Sequence, residues 1–319
     1  MKISVIIPVY NSEKFIKDSV LSVINQKEVG EILLIEDGSI DDSLKLCQSL
    51  ASSIDIVKIL KHPNGKNLGA GKSRNFGILR ASNEFLAFLD ADDYYLNNRF
   101  KNTKTTFHKY PNIDGVYEII GVDYNTNNDN HNHISRMNLI KANYDNPRIP
   151  LENTGVEPNI NPKNLFNILI CGDKGWIHLN GLTIKKESLL KFDLFSDLEY
   201  GEDTDFILRV AYNKKLISTN SIEPVAVRRV HDSNRIPYNN YYQEVWNNIF
   251  KFSLKNKVDY TARLIILFKY IDNYNLLYYN CSLPMVKKAF KMIIIIILII
   301  KHPFYVLNTF LKNLYKNNN

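Results

Sequence analysis

Three carboxylates, Asp90, Asp92 and Asp93, fall within four positions directly after the apolar run FLAFL. So dense a cluster repels itself unless a cation or a proton sits among the acids. Alternating carboxylates of this kind can clamp a divalent ion that also bridges two phosphates. An acid-rich helix start followed by a surface turn has the same spacing, but a position immediately after an apolar strand favours chemistry. Tyr10-Asn11 and Glu36-Asp37-Gly38-Ser39 also close apolar runs. Asp-Gly-Ser alone is common turn chemistry. At the carboxyl edge of an open parallel sheet, where ligands bind, the three clusters together would form one wall of a pocket.

Further clusters lie downstream. GEDTDF (201–206) sets Glu202, Asp203 and Asp205 at the start of a helix, where acids suit the dipole and where a carboxylate can also act as a general base towards a hydroxyl. HPNGKNLGAGKSRN (62–75) looks like a phosphate cradle, but the glycine that a P-loop needs five positions before Gly71 is Lys66, which excludes an ATPase of that type. Arg228-Arg229-Val-His231 offers cations to a pyrophosphate, or else a solvated basic turn.

Alternating strands and helices must position these groups. Strands are expected at 3–8, 31–35, 54–60 and 85–89, and helices at 12–25 (capped by Asn11 or Ser12), 42–52 and 69–81. The alternation implies βαβ units and a Rossmann-like, mostly parallel central sheet flanked by helices, an α/β fold. The rhythm breaks after about residue 120. Asn-rich and Pro-rich stretches predict an irregular loop over 123–162. Order returns at 165–170, 181–190 and a helix over 202–213, and helical spacing dominates from about residue 238 onward.

Composition constrains the rest. The chain has 319 residues, 45% hydrophobic and 23% charged, with a net charge of +7, ordinary for a globular protein. No acid follows Asp272 although Lys287, Lys288, Lys291, Lys301, Lys312 and Lys316 do, so the basic character gathers at the C-terminus. Cys47, Cys171 and Cys281 show neither a metal-ligand spacing nor a disulfide framework, which points to a reducing compartment. The N-terminal apolar run is too short for an export signal and is expected to be a buried strand. Residues 292–300 are purely apolar but fall short of the roughly 20 residues that a spanning helix needs. With the lysines around them they suggest peripheral membrane contact through 284–316, against the plainer reading of a core helix.

SVIIPVYN (4–11), SVINQ (22–26), EILLIEDGSIDDS (31–43), NLGAGKSRNFGI (67–78), FLAFLDADD (85–93) and GEDTDF, in this order, resemble the family 2 glycosyltransferases of bacterial envelope-polysaccharide type. The resemblance covers about the first 235 residues. It implies a GT-A fold over 1–235, with a nucleotide-sugar half at 1–95 and an acceptor half at 96–235, followed by a helical C-terminal region at 236–319. It implies a nucleotide site with Pro8, Tyr10, Asp37, Arg74, Asp90, Ala91, Asp92 and His231. Mn²⁺ or Mg²⁺ would be held by Asp92, Asp90 and His231, and Asp203 would be the catalytic base. The implied reaction is inverting transfer of a sugar from a nucleotide diphosphate, by family logic a UDP-sugar, to a carbohydrate or lipid-linked acceptor. Nucleic acid is not expected as a partner, and the implied place is the cytoplasm or the inner face of the membrane. Trp176, beside HLNGL (178–182), is a candidate to stack on the acceptor or to fill a core. The rival classes are a sugar nucleotidylyltransferase, which usually has a glycine-rich loop where Tyr10-Asn11 stands, and a catalytically inactive binding module.

Overall fold

Val5, Ile7 and Val9 pack in one apolar cluster with Ile16, Val20 and Val23, whereas Ile6, between them in sequence, meets Gly77 on the other side. That alternation places helices on both faces of one sheet, which is why its first strands read as unbroken apolar runs. The computed structural model describes residues 1–97, 99–123, 155–172, 174–231 and 241–275. The chain divides into two compact units, Met1–Tyr241 and Tyr242–Asn319.

In chain order the first unit contains β1 (Ile3–Val9), α1 (Ile16–Ile24), β2 (Val29–Glu36), α2 (Ser43–Ser53), β3 (Val57–Lys61), α3 (Ala70–Arg80), β4 (Phe85–Phe88), β5 (Tyr94–Tyr95), α4 (Lys101–Lys109), β6 (Gly115–Tyr117), β7 (Gly121–Asp123), α5 (Leu165–Cys171), β8 (Leu182–Lys185), α6 (Glu202–Asn213), β9 (Leu216–Ser218) and β10 (Ala226–Arg229). The seven-stranded sheet has the order β3-β2-β1-β4-β8-β6-β9. All its pairings are parallel except those of β8, which runs antiparallel to both β4 and β6. A second sheet, β5-β10-β7, stands beyond the exit of β4.

α3 lies close to the sheet because Gly77 has no side chain: a Cβ there would sit 2.6 Å from Ile6 Cγ2. Some expected boundaries shift for local reasons. α1 begins at Ile16 rather than residue 12, because Ser12 turns back to bond the Tyr10 carbonyl and accepts the N–H groups of Phe15 and Ile16 at its own carbonyl. β3 begins at Val57 rather than 54, because Ile54 ends α2 and receives the Val57 N–H in a turn. The ordered stretch at 181–190 resolves into β8 and a short 3₁₀ turn, Lys186–Ser188.

The described part of the second unit is two helices, α7 (Tyr241–Lys255) and α8 (Tyr260–Asn275). Phe250 and Tyr270 stack at 4.9 Å, and the Lys269 ammonium lies 4.7 Å from the Trp246 ring. Most of the expected loop over 123–162 and all of 284–316 lie outside the described residues. Among the described residues no helix is long and apolar enough to cross a membrane.

Candidate active site

β1, β2 and β4 run parallel and end side by side, so residues 10–11, 36–39 and 90–93 share one edge. The first two segments are tied together. Asn11 donates its N–H to Ser39 Oγ and accepts the Ile40 N–H at Oδ1, while Ser12 N–H reaches Ser43 Oγ at 2.7 Å. Asn11 holds φ at 47°, a left-handed conformation that asparagine tolerates. Pro8 and Tyr10 are part-exposed at this edge.

Asp37 is 2% exposed, and its two oxygens accept the N–H groups of Leu68 (2.7 Å) and Gly69 (2.9 Å). The carboxylate therefore anchors the loop that opens α3. One turn into that helix, the buried Arg74 donates to Asp90 Oδ1 at 2.6 Å and to Glu202 Oε1 at 2.7 Å. One guanidinium thus joins the DADD segment to the GEDTDF segment, 128 positions apart in sequence from Arg74. Helix α3 can come this near because Gly71 faces Glu202: a Cβ there would lie 3.1 Å from Glu202 Cγ. Asp203, next to Glu202, is half-buried and accepts the Thr204 N–H at 2.6 Å. Asp205 is buried and bound to Ser196 and Arg209, so it braces α6.

The small sheet supplies the other side. β10 runs antiparallel to β5, pairing Val227 with Tyr94, and this register carries Arg229 and His231 back along Asp93 and Asp92. Arg229 donates its N–H to Asp93 Oδ1 (2.8 Å) and Nη1 to the Asp92 carbonyl (2.9 Å). Its guanidinium lies 5.5 Å from the Phe15 ring and 4.7 Å from the Tyr94 ring. Arg229 is 1% exposed and is therefore no solvated turn. His231 sits 3.1 Å from Asp92 Oδ2 and stacks on Phe15 at 4.5 Å. Ala91 is buried between the acids.

One residue that sequence reasoning left without a role in the acid cluster proves central to it, and a second braces it from behind. Asn180 is fully buried; it donates Nδ2 to Asp93 Oδ2 at 2.6 Å and accepts the Asp90 N–H at Oδ1. Its own N–H goes to His178 Nδ1 at 3.2 Å, which places the proton of a neutral His178 on Nε2. Arg99 holds the Asn180 carbonyl and pairs with Glu118 at 2.7 Å. HLNGL was the only signal, and the distances behind it are not written in a sequence. Trp176 is half-buried.

Charge in the cluster follows burial. Burial raises the Asp93 carboxyl well above the usual range, and the charges of Asp92 and Asp90 push the same way. Burial also works upward on Asp90, but opposing charges, Arg74 foremost, hold it below its ordinary value. Glu202 is raised by burial despite Arg74. Burial pushes His178 down to about 4.

Hard carboxylate oxygens at one edge suit Mg²⁺ or Mn²⁺. Asp90, Asp93 and His178 each offer a ligand atom within 4.8 Å of the other two. Both Asp93 oxygens already accept hydrogen bonds, however, and His178 carries its proton on the nitrogen that Asn180 leaves over. Asp90 Oδ1 is bonded in the same way by Arg74, and Asp92 Oδ2 faces His231, so the acids of this edge, with His178 or His231, are the groups that could hold a cation.

Comparison with known proteins agrees with this architecture. The family model described as glycosyl transferase family 2 matches residues 4–163. The minor teichoic acid biosynthesis protein GgaA of Bacillus subtilis is 38% identical over 114 residues, which are 33% of this chain and 24% of that relative. A match to one of the uncharacterized glycosyltransferases, from Haemophilus influenzae, spans 39% of its relative, so this chain covers well under half of either protein. Among solved structures, S. aureus TarS 1-349 in complex with UDP-GlcNAc superposes with a TM-score of 0.62 at 20% identity, over 86% of this chain and 72% of that one. The mannosyltransferase PcManGT of Pyrobaculum calidifontis, in complex with GDP-Man and Mn²⁺, gives 0.53 at 14%, over 99% and 87%. At such identities the structural likeness is one of fold.

Proposed function

The chain belongs to glycosyl transferase family 2 and has the GT-A fold, and from that premise we propose that it transfers a sugar from a nucleoside diphosphate to an acceptor hydroxyl with inversion at the anomeric carbon. The observation that carries this reading is Arg74, which bonds Asp90 on the donor side and Glu202, neighbour of the proposed base, on the acceptor side. A nucleotide sugar lying along the edge of β1, β2 and β4 would have its diphosphate at Asp90 and Asp92 and its anomeric carbon towards Asp203.

In the proposed reaction Asp203 accepts the proton of the acceptor hydroxyl. The acceptor oxygen bonds to the anomeric carbon as the bond to the diphosphate oxygen breaks on the opposite face, and the nucleoside diphosphate leaves with that electron pair. Glu202 is already engaged by Arg74, which favours Asp203 as the base. Asp92 and Asp90, with His231 at hand, would hold Mg²⁺ or Mn²⁺, which would supply charge neutralisation at the diphosphate. Asn180 and Arg229 hold the Asp93 carboxylate and, through the Asp90 N–H and the Asp92 carbonyl, the backbone that carries the other two acids. UDP-GlcNAc in a TarS structure supports a UDP-sugar as donor, and relatives named for teichoic acid synthesis support an acceptor in surface polysaccharide or a lipid-linked precursor. Contact with the inner face of the membrane through residues 284–316 belongs to the same proposal and rests on sequence alone.

The test is release of UDP from a panel of UDP-sugars, with and without Mn²⁺, for wild type and Asp203→Asn. Loss of a general base lowers the rate by about 10²–10⁴-fold, while calorimetry should show UDP binding retained. Wild-type turnover in the variant would reduce Asp203 to a helix-terminal acid.

A further inference from the structure

Away from the carboxylates lies a cleft of about 570 Å³ between the α1–β2 turn and one face of α4. The turn enters β2 at Val29, and β2 ends at Glu36, so the cleft is about 23 Å from the Asp37 edge at some 3.3 Å per residue. Its charged lining is Lys27, Lys101, Lys104 and Lys109, with His108 and the single acid Glu28. Four lysines against one glutamate leave an excess of three positive charges. Elsewhere Lys58, Lys72 and Lys174 have carboxylate partners at 2.8, 2.8 and 3.0 Å. Here Glu28 stands 3.8 Å from Lys104, and among the described residues Lys27, Lys101 and Lys109 reach no carboxylate.

The helix adds a second observation. α4 has no acid in its first turn; it opens on Lys101 with Lys104 close behind, where the helix dipole favours negative charge. Lys104 has only Glu28, at 3.8 Å, and Lys101 reaches no carboxylate among the described residues; departures from local preference of this kind are expected at functional sites. Lys101, Lys104 and Lys109 follow one another along α4 at about 1.5 Å of rise per residue, so cations line up along the cleft rather than scatter over a plane.

We propose that this cleft binds a phosphate-bearing polymer chain. A row of cations in a concavity fits successive phosphates of a linear polyanion, whereas a flat bilayer would meet only the rim. The proposal is independent of the transfer reaction, since neither Asp203 nor the acid cluster takes part.

The test uses the full chain, with short-chain linear polyphosphate as the probe. Binding is measured over a salt series for wild type and Lys101→Glu/Lys104→Glu. The variant satisfies the helix dipole but loses the Lys104–Glu28 pair, two small and opposed surface effects, so its melting temperature should change little. Its polyphosphate affinity should fall at least tenfold, and the slope of log affinity against log salt should shrink by about 0.7 for each phosphate that is no longer neutralised, or about 1.4 in all. UDP binding should not change. Equal affinity in variant and wild type, or no binding by wild type, would overturn the proposal. So would a loss confined to vesicles containing phosphatidylglycerol, which would make the cleft part of a membrane-facing surface.

Discussion

Replacing Arg74 by Met strands two carboxylates at once. The guanidinium is 6% exposed and holds Asp90 at 2.6 Å and Glu202, itself 13% exposed, at 2.7 Å. Removing one partner of a buried ion pair costs about 3–5 kcal/mol, chiefly because a charge is left uncompensated. For a unit of this size that corresponds to a fall in melting temperature of about 6–20 °C. The sharper expectation is a change of sign. Glu202→Gln in the wild type should destabilise, since Arg74 loses a partner. In the Arg74→Met background it should recover about 1–3 kcal/mol by removing a stranded charge. Urea unfolding of the four proteins completes a double-mutant cycle. If Glu202→Gln deepens the damage in the Arg74→Met background, or if Arg74→Met alone costs under about 1 kcal/mol, the bridge does not hold the two segments together.

Three further outcomes are expected. Asn180→Ala takes a buried donor from Asp93 and the partner of the Asp90 N–H, so it should lower stability by about 1–3 kcal/mol; a urea midpoint that stays put would refute the clamp. His178, depressed to about 4 by burial, refuses in the folded state a proton that the unfolded chain accepts below about 6.5. Its contribution is therefore complete above pH 6.5 and is lost as pH falls towards 4, up to about 3 kcal/mol; His178→Gln should flatten that part of the stability–pH curve, and parallel curves would contradict it. Asp92→Ala should abolish the Mn²⁺ dependence of UDP binding in calorimetry, an assignment that unchanged metal response would refute.

Much of the donor side was legible in the sequence because its strands are covered on both faces and so write themselves as apolar runs, each ending in a polar cluster. Helix α6 falls at Glu202–Asn213 as expected, since its acidic first turn and apolar spacing agree. The illegible part has a common cause. β5, β7 and β10 have only two to four residues each, too few to show a period, and β8 gives no sign of its reversed direction. Asn180 and Arg229 act on acids 87 and 136 positions away, and neither composition nor spacing encodes such pairings. Arg74 was expected at the nucleotide site, and its bonds to Asp90 and Glu202 are a further pairing that the sequence does not encode.

The pairing of β10 with β5 has a consequence for the order in which the molecule is made. Chain emerging from the ribosome can complete β1 to β4 early, because all four strands lie within the first 88 residues. The acid cluster then waits, without Arg229 or His231, until more than a hundred further residues have been synthesised. Contacts of such long loop closure form late and slowly, and a partly folded chain is the state most exposed to misassembly. A nascent chain halted before residue 226 would therefore carry a finished sheet and an unfinished site, so that competence at the acid cluster is acquired as a final step of folding rather than with the sheet that bears it.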